Sequence, residues 1–225
     1  MTVCRGKFPF LVAGLMWAAS CARGEGLSMQ TGDLVARFQD GTWSRFFAAA
    51  SPHDQRFAHI GLVVLEKEEP WVIHAQGNDQ NGKGQVCKTP LAQFINPEHT
   101  LRWAVFRADA SPEQLRAAVR QAEAFVADGV PFDAQFDLRD AHALYCTEMV
   151  WRAFLDGAGI ELVPVRVEVG DQSFITIDCL TGSPYVHELT ASGHDVEFVV
   201  GRRDDANRHG RRLEALPDEP LTDVE

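Results

Sequence analysis

The sequence predicts an α+β fold in which a meander of antiparallel strands is packed against helices. Residues 58–65 and 71–76 are apolar, β-branched runs on either side of the charged segment 66–69, which is typical of paired strands. Residues 111–127 open with Ser, Pro and Glu and then continue at helical spacing, which marks a helix start. A second amphipathic helix is predicted to begin at Cys146 and to end near Gly159, since its apolar residues recur every three or four positions.

Shorter patterns complete the predicted order of elements. Strands are expected at residues 34–38, 101–106 and 196–200, and a helix at 42–50. Polar or glycine-rich loops are expected at 51–56, 77–84 and 131–143. No internal repeat is visible, so residues 31–200 are interpreted as one domain. The charged, proline-containing segment 201–225 is predicted to be disordered.

Composition limits the classes of partner. The chain has 225 residues, of which 45% are hydrophobic, enough for a substantial core. Its formal net charge is −11, and no basic stripe is present to meet phosphates. We therefore expect no nucleic-acid partner. A cationic or neutral substrate is easier to accommodate at this charge, and no cofactor is indicated.

The N-terminus has the pattern of an export signal. Arg5 and Lys7 precede an apolar run at residues 8–19, which is too short to span a bilayer comfortably. Small residues follow, and two cleavage patterns fit them: an ordinary signal peptide, or a lipoprotein signal that leaves a lipidated Cys21 as the first residue. Residues 1–20 are therefore predicted to direct the protein to the periplasm or cell envelope, with membrane attachment through Cys21 in the second case.

Three cysteines remain in the expected mature domain: Cys87, Cys146 and Cys179. An odd number in an exported protein indicates a free thiol. A Cys87–Cys179 disulfide would leave Cys146 free, whereas three buried, reduced cysteines explain the sequence equally well.

Cys146 is a candidate nucleophile because of its position. A thiol in the first turn of a helix is expected to have a lowered pKa, since the helix dipole favours the thiolate. The alternative is that Cys146 is a small apolar core residue, because it lies on the apolar face of the predicted helix. A base within reach would distinguish the two interpretations.

Two histidines in the predicted hairpin could supply that base. His59 lies within an apolar strand, where an imidazole must be hydrogen-bonded. A four-residue loop at 66–69 would place His59, His74 and Gln76 on one face, with Gly61 making room beside an imidazole. This cluster predicts a base oriented by a second polar group. A zinc site formed by His59, His74 and Cys146 is an alternative with less support, since no closely spaced ligand pair is present.

The motifs together resemble the permuted papain-like amidases of the YaeF/YiiX type, which are related to bacterial cell-wall endopeptidases and to lecithin–retinol acyltransferase. The resemblance covers residues 31–200 and rests on three short motifs in a fixed order: Gly32-Asp33, Ala58-His59-Ile60-Gly61 and Tyr145-Cys146-Thr147-Glu148. It implies a circularly permuted papain-like fold, with an antiparallel sheet or barrel packed against helices, and a cysteine amidase or peptidase.

The same resemblance implies a catalytic role for each site residue. Cys146 would attack a carbonyl and form a thioester, and His59 would be the general base. His74 would hold the third, orienting position, which is often Glu in the family, with Gln76 as the rival. Acyl transfer or lipid ester hydrolysis at the same site, and an inert envelope protein, are the alternative functions.

Overall fold

Six strands form one antiparallel sheet, which confirms the predicted α+β class. The structure is a computed structural model that describes residues 28–67, 69–77, 84–191, 196–197, 199–200 and 212–213. The strands are β1 (Ser28–Met29), β2 (Leu34–Gln39), β3 (His59–Glu66), β4 (Glu69–Gln76), β5 (Gln85–Pro90), β6 (Thr100–Ala108), β7 (Val167–Val169), β8 (Gln172–Phe174), β9 (Val186–Ala191), β10 (Val196–Glu197), β11 (Val199–Val200) and β12 (Arg212–Leu213). The main sheet has the order β5-β4-β3-β2-β6-β9, and its described strands form an open sheet, not a closed barrel.

Five helices accompany the sheet in the described part of the chain. They are α1 (Thr42–Ala49), α2 (Leu91–Phe94), α3 (Pro112–Ala127), α4 (Cys146–Ala158) and α5 (Ile177–Thr181). The predicted start of α3 is confirmed: the Ser111 hydroxyl accepts a hydrogen bond from the Gln114 N–H, and the Gln114 side chain accepts one from the Ser111 N–H. Helix α4 ends as predicted at Gly159, whose φ of 68° suits a residue without a Cβ.

The sheet has a buried core on each face. On one face, Ile60 and Leu62 of β3 pack in the larger core, to which α3 and α4 contribute. On the other face, Val63 and Val72 pack with Phe94 of the short helix α2. The alternation of β3 residues between the two cores follows from the two-residue period of a strand. His59, an odd-numbered residue like Val63, therefore belongs to the α2 side.

The β3–β4 hairpin has the predicted register but a tighter turn. Leu65 pairs with Pro70 as expected, and Glu66 pairs with Glu69, so that residues 67–68 form the loop where a four-residue loop was expected. Lys67 has a φ of 48°, a left-handed conformation that such a tight connection requires.

Some elements were missed and some predictions lie outside the described residues. Strands β1, β5, β7, β8, β9 and β12 and helices α2 and α5 were not predicted. Within the glycine-rich loop 77–84, residues 78–83 lie outside the described ranges. Apart from β12, which pairs with β10, the tail at 201–225 also lies outside them, as do the export signal and Cys21. Within the described ranges, no helix is long and apolar enough to cross a membrane.

Candidate active site

Cys146 is the first residue of α4, as predicted, but its pKa shifts in the opposite direction to the one expected. Burial raises the pKa of the thiol to about 11. The backbone N–H groups of Ile60, Thr147 and Cys146 itself oppose this rise, and so does the charge of Arg37. The helix start therefore lowers the thiol pKa as expected, but desolvation outweighs it.

The sulfur lies beyond the paired part of β3 and β4. The ladder between these strands ends at the pair Leu62 and Ile73, two residues short of Ile60. The Ile60 N–H is therefore not part of the ladder with β4, and it donates a hydrogen bond to the Cys146 sulfur. Because Ile60 follows His59 in the chain, this contact brings the helix start beside the start of β3, and so beside the predicted base.

His59 and His74 are in direct contact. The distance between His59 Nε2 and His74 Nδ1 is 2.9 Å, and the distance between His74 Nε2 and the Thr89 hydroxyl is 3.0 Å. A continuous chain thus runs from His59 through His74 to Thr89. Since Nε2 of His59 is occupied by His74, Nδ1 is the ring nitrogen left to accept a proton.

The environment keeps both imidazoles neutral. Burial, together with the charge of Arg37, lowers the pKa of His74 to about 3. Burial, then the neighbouring His74 and Arg37, hold the pKa of His59 well below its ordinary value. If neutral His59 accepts a proton at Nδ1, its Nε2–H donates to His74, whose Nε2–H then donates to Thr89. The geometry permits this single consistent set of tautomers for a base at His59.

The two candidates for the third position differ in burial. The His74 side chain is 1% exposed and contacts His59, whereas Gln76 is exposed and lies beyond the end of the β3–β4 ladder. The geometry therefore favours His74 over Gln76 as the group that orients His59.

Gly61 lets β4 approach β3 closely at this point. A Cβ built at Gly61 would lie 2.4 Å from Val72 Cγ1, 2.7 Å from the Ile73 carbonyl oxygen and 3.0 Å from His74 Cβ. The predicted need for space beside an imidazole is thus met, and a side chain at this position would displace His74.

Arg37 and Phe94 belong to the site but were not identified from sequence. The Arg37 guanidinium lies over the Phe94 ring, with its Cζ 4.0 Å from the ring centroid, and donates to the Phe94 carbonyl. The same ring contacts His59 and His74 at centroid distances of 5.6 and 5.0 Å. Neither residue carries a sequence signal for this role, because a strand arginine ordinarily faces solvent and α2 is a four-residue helix.

Two residues of the cysteine motif have structural contacts. The Tyr145 hydroxyl accepts a hydrogen bond from the Ile175 N–H. Glu148 is buried and forms an ion pair with Arg152 at 2.8 Å, and Arg152 also donates to the Leu138 carbonyl. The pair connects α4 to the loop at residues 131–143.

A row of aromatic rings lies beside the site. Phe47 packs against the small cluster that contains Ala58, the residue before His59. The Phe47 and Phe136 ring centroids are 5.4 Å apart, and those of Phe136 and Tyr145 are 5.1 Å apart. We call Phe46, Phe47 and Phe136 the aromatic row; it connects the residue before His59 to the residue before Cys146. Phe136 has a φ of 56°, which is unusual for an aromatic residue.

The three cysteines in the described part of the chain are reduced. Cys87, Cys146 and Cys179 are each free thiols, so the Cys87–Cys179 disulfide is not formed. Cys87 lies 3.7 Å from His74 Nε2. Within the described residues, no group of three or more His, Cys, Asp or Glu side chains is arranged to hold a metal ion.

Comparison with known proteins places this site in a family. A family model described as permuted papain-like amidase enzymes, YaeF/YiiX, family C92, matches residues 28–170. The chain belongs to this family. The match includes all three motifs named from sequence and confirms the predicted resemblance and the permuted papain-like fold. Members of the family are named as amidases, so the chain is assigned to the hydrolases at that level.

A solved structure shares the fold. The crystal structure titled as the metalloprotein YiiX from Escherichia coli O157:H7 superposes with a TM-score of 0.59 at 20% sequence identity, over 72% of this chain and 96% of that one. A search of curated proteins gives no match.

Proposed function

We propose that this member of the C92 family is a cysteine amidase in which Cys146 is the nucleophile, His59 the general base and His74 the residue that orients His59. The observation that supports this most directly is the chain from His59 Nε2 through His74 to Thr89, because it leaves His59 Nδ1 as the ring nitrogen that can accept a proton. A nucleophile, a base and an orienting group are the three parts that thioester chemistry requires.

The proposed reaction proceeds in two halves. The proton on Cys146 Sγ passes to His59 Nδ1 as the sulfur attacks the carbonyl carbon of the amide, and the carbonyl oxygen becomes an oxyanion. The C–N bond then breaks, and His59 gives its proton to the leaving amine, which leaves a thioester on Cys146. Water attacks the thioester with His59 as base, the C–S bond breaks, and the proton returns to the sulfur.

The backbone at the start of α4 is suited to the oxyanion. The N–H groups of Cys146 and Thr147 point toward the sulfur, in the unbonded first turn of the helix. Such N–H groups can stabilise an oxyanion that forms next to the attacking atom.

Substitution of Cys146 tests the nucleophile. Cys146→Ala and His59→Ala should each abolish amide hydrolysis while the far-ultraviolet circular dichroism remains that of the folded protein. Cys179→Ala is the matched control, because it removes a partly buried thiol outside the proposed site and should leave turnover unchanged. Activity of Cys146→Ala equal to wild type would exclude the mechanism.

The substrate can be identified by trapping. Incubation with amide, ester and muropeptide substrates, followed by peptide mass spectrometry, should reveal an acyl adduct on Cys146. An adduct confined to Cys87 or Cys179 would contradict the proposal.

The aromatic row favours acyl transfer as a second candidate function. Its apolar rings flank the residues before His59 and Cys146, and Phe46 is 61% exposed. An apolar acyl group on the thioester would find contact there, and an amine could then replace water as the acceptor. Turnover that depends on added amine would support acyl transfer, whereas turnover independent of amine would support hydrolysis.

A further inference from the structure

Arg37 is a buried cation with no carboxylate partner in the described part of the chain. Arg37 is a residue of β2 and is 7% exposed. Its Nη1 donates to the Phe94 carbonyl, while its Nε has no hydrogen-bond partner among the described residues. Burial of a guanidinium without a counter-ion is unfavourable, and its pKa is accordingly lowered to about 10. A fold that keeps such a group needs a compensating interaction.

The position of Arg37 relates it to the proposed active site. Arg37 is the register partner of His59 across β2 and β3, so both side chains are on the same face of the sheet. The Phe94 ring that supports the guanidinium also contacts His59 and His74. Both histidines are therefore neighbours of a fixed positive charge, which favours their neutral forms before the reaction.

The anions available to Arg37 are thiolates. Among the described residues, Arg37 and Tyr145 interact electrostatically with Cys146, and burial raises the pKa of Tyr145 so that it stays neutral. His59 and His74 feel the same Arg37 charge. Glu148 lies on the Cys146 helix. Glu148 is already paired with Arg152. Arg37 interacts electrostatically with Cys146 and Cys87, and Cys146 receives the additional N–H groups that a sulfur anion requires.

We propose that Arg37 is a positioning residue that supplies the counter-charge for the sulfur of Cys146 as its proton passes to His59. The proposal rests on Cys146 being the nucleophile. A carboxylate in the third position would stabilise a charged His59. A neutral His74 does this less well, and Arg37 instead stabilises the negative member of the same ion pair. The guanidinium remains charged throughout and exchanges no proton.

The test measures the reactivity of Cys146 without any substrate. Wild type, Arg37→Met and Arg37→Lys are treated with iodoacetamide between pH 6 and pH 9, where the guanidinium is charged, and the alkylation of each cysteine is followed by peptide mass spectrometry. In Arg37→Met, alkylation of Cys146 should be about tenfold slower across this range, since one pKa unit changes the thiolate fraction tenfold. Arg37→Lys keeps the charge and should remain closer to wild type.

Controls separate this effect from a loss of structure. Arg107→Met removes an arginine that is paired with Asp33, and it should lower the urea midpoint without moving the Cys146 profile. If Arg37→Met does not fold, Arg37→Gln keeps a donor for the Phe94 carbonyl and takes its place in the test. A folded neutral variant with the wild-type profile would overturn the proposal.

The alkylation experiment distinguishes a failure of the proposed function from a failure of the role proposed for Arg37. If Cys146 in the wild type is alkylated no faster than Cys87 and Cys179 at any pH, the nucleophile assignment is wrong. If Cys146 is selectively reactive and Arg37 has no influence on it, the role of Arg37 alone is wrong.

Discussion

At the scale of single residues, the position of His74 between His59 and Thr89 decides which tautomer each ring adopts. In the proposed mechanism the Thr89 hydroxyl accepts from His74 Nε2–H, and this leaves His74 Nδ1 free to accept from His59. Thr89 is therefore expected to affect catalysis by fixing the tautomers of His74 and His59, although it is not expected to touch the substrate.

Replacement of Thr89 tests this tautomer assignment. Thr89→Val keeps the shape but removes the acceptor, so that a buried N–H of His74 is left unsatisfied, at a cost of about 1–3 kcal/mol in unfolding free energy. The kcat for amide hydrolysis should fall while KM remains near the wild-type value. Thr89→Ser keeps the hydroxyl and should behave as wild type. A Thr89→Val variant with full kcat would show that the hydroxyl does not set the tautomer.

The third position is tested by a pair of variants. His74→Gln should lower kcat/KM, but less than His59→Ala, because an amide can still accept a hydrogen bond from His59. Gln76→Ala should have no effect, since Gln76 is exposed. An unchanged rate in His74→Gln together with a loss in Gln76→Ala would transfer the orienting role to Gln76.

At the scale of elements, the close approach of β3 and β4 at Gly61 holds His74 in place. Gly61→Ala would place a methyl group 2.4 Å from Val72 Cγ1, so that β4 must move. We expect a loss of about 1–3 kcal/mol in unfolding free energy, as for other overpacked sites, and a fall in kcat/KM. Urea denaturation and steady-state kinetics would measure both. Stability and activity equal to wild type would show that β4 relaxes without displacing His74.

The elements that sequence could predict are those with a strong local signal. The charged segment between two apolar runs predicts the β3–β4 hairpin, and its Leu65–Pro70 pair is confirmed. Strand β5 contains polar residues and ends in proline, and α2 is only four residues long, so neither has a periodicity to detect. The helix α4 was predicted with its start at Cys146, because its apolar stripe and terminal Gly159 are local features.

The residues of the site likewise fall into those with a local sequence signal and those without one. Cys146, His59 and His74 could be selected because their residue types are reactive and their strand positions are unusual. Arg37 and Phe94 could not, because the burial of Arg37 depends on α2 covering a strand that is distant in sequence. The direction of the Cys146 pKa shift was likewise not accessible, since desolvation depends on the surrounding fold.

At the scale of the whole molecule, the buried titratable groups predict how stability depends on pH. The folded-state pKa values of His59 and His74 lie below 6.5, so the unfolded chain binds more protons below that pH. Stability should therefore be lost as pH falls from 6.5 toward 3, by up to about 1.4 kcal/mol per pH unit for each histidine. The pKa of Cys146 is raised, so stability should also fall as pH rises from 9 to about 11.

Urea denaturation between pH 4 and pH 7 would measure the acid side of this dependence. His74→Gln removes one of the two titrating groups and should show a shallower loss of stability with acid. A slope equal to that of the wild type would contradict a neutral, buried His74.

The proposed export of the protein is also a property of the whole chain. We propose that residues 1–20 direct it across the inner membrane, and expression in a bacterium with cell fractionation and N-terminal mass spectrometry would test this. A lipidated Cys21 predicts membrane-bound protein that Cys21→Ala releases to the soluble fraction, whereas ordinary cleavage predicts soluble periplasmic protein in both. Uncleaved protein in the cytoplasm would exclude both forms of the proposal.

The end of the β3–β4 pairing at Leu62 has a consequence for amide hydrogen exchange. The Ile60 N–H donates to a sulfur atom where it would otherwise meet a neighbouring strand. Its exchange rate therefore reports on the start of α4 as well as on the sheet. A thioester on Cys146 changes the acceptor, so the protection of this one amide should change during turnover while Leu62 and Val63 stay protected. The Ile60 amide is thus a built-in reporter of the acylated state.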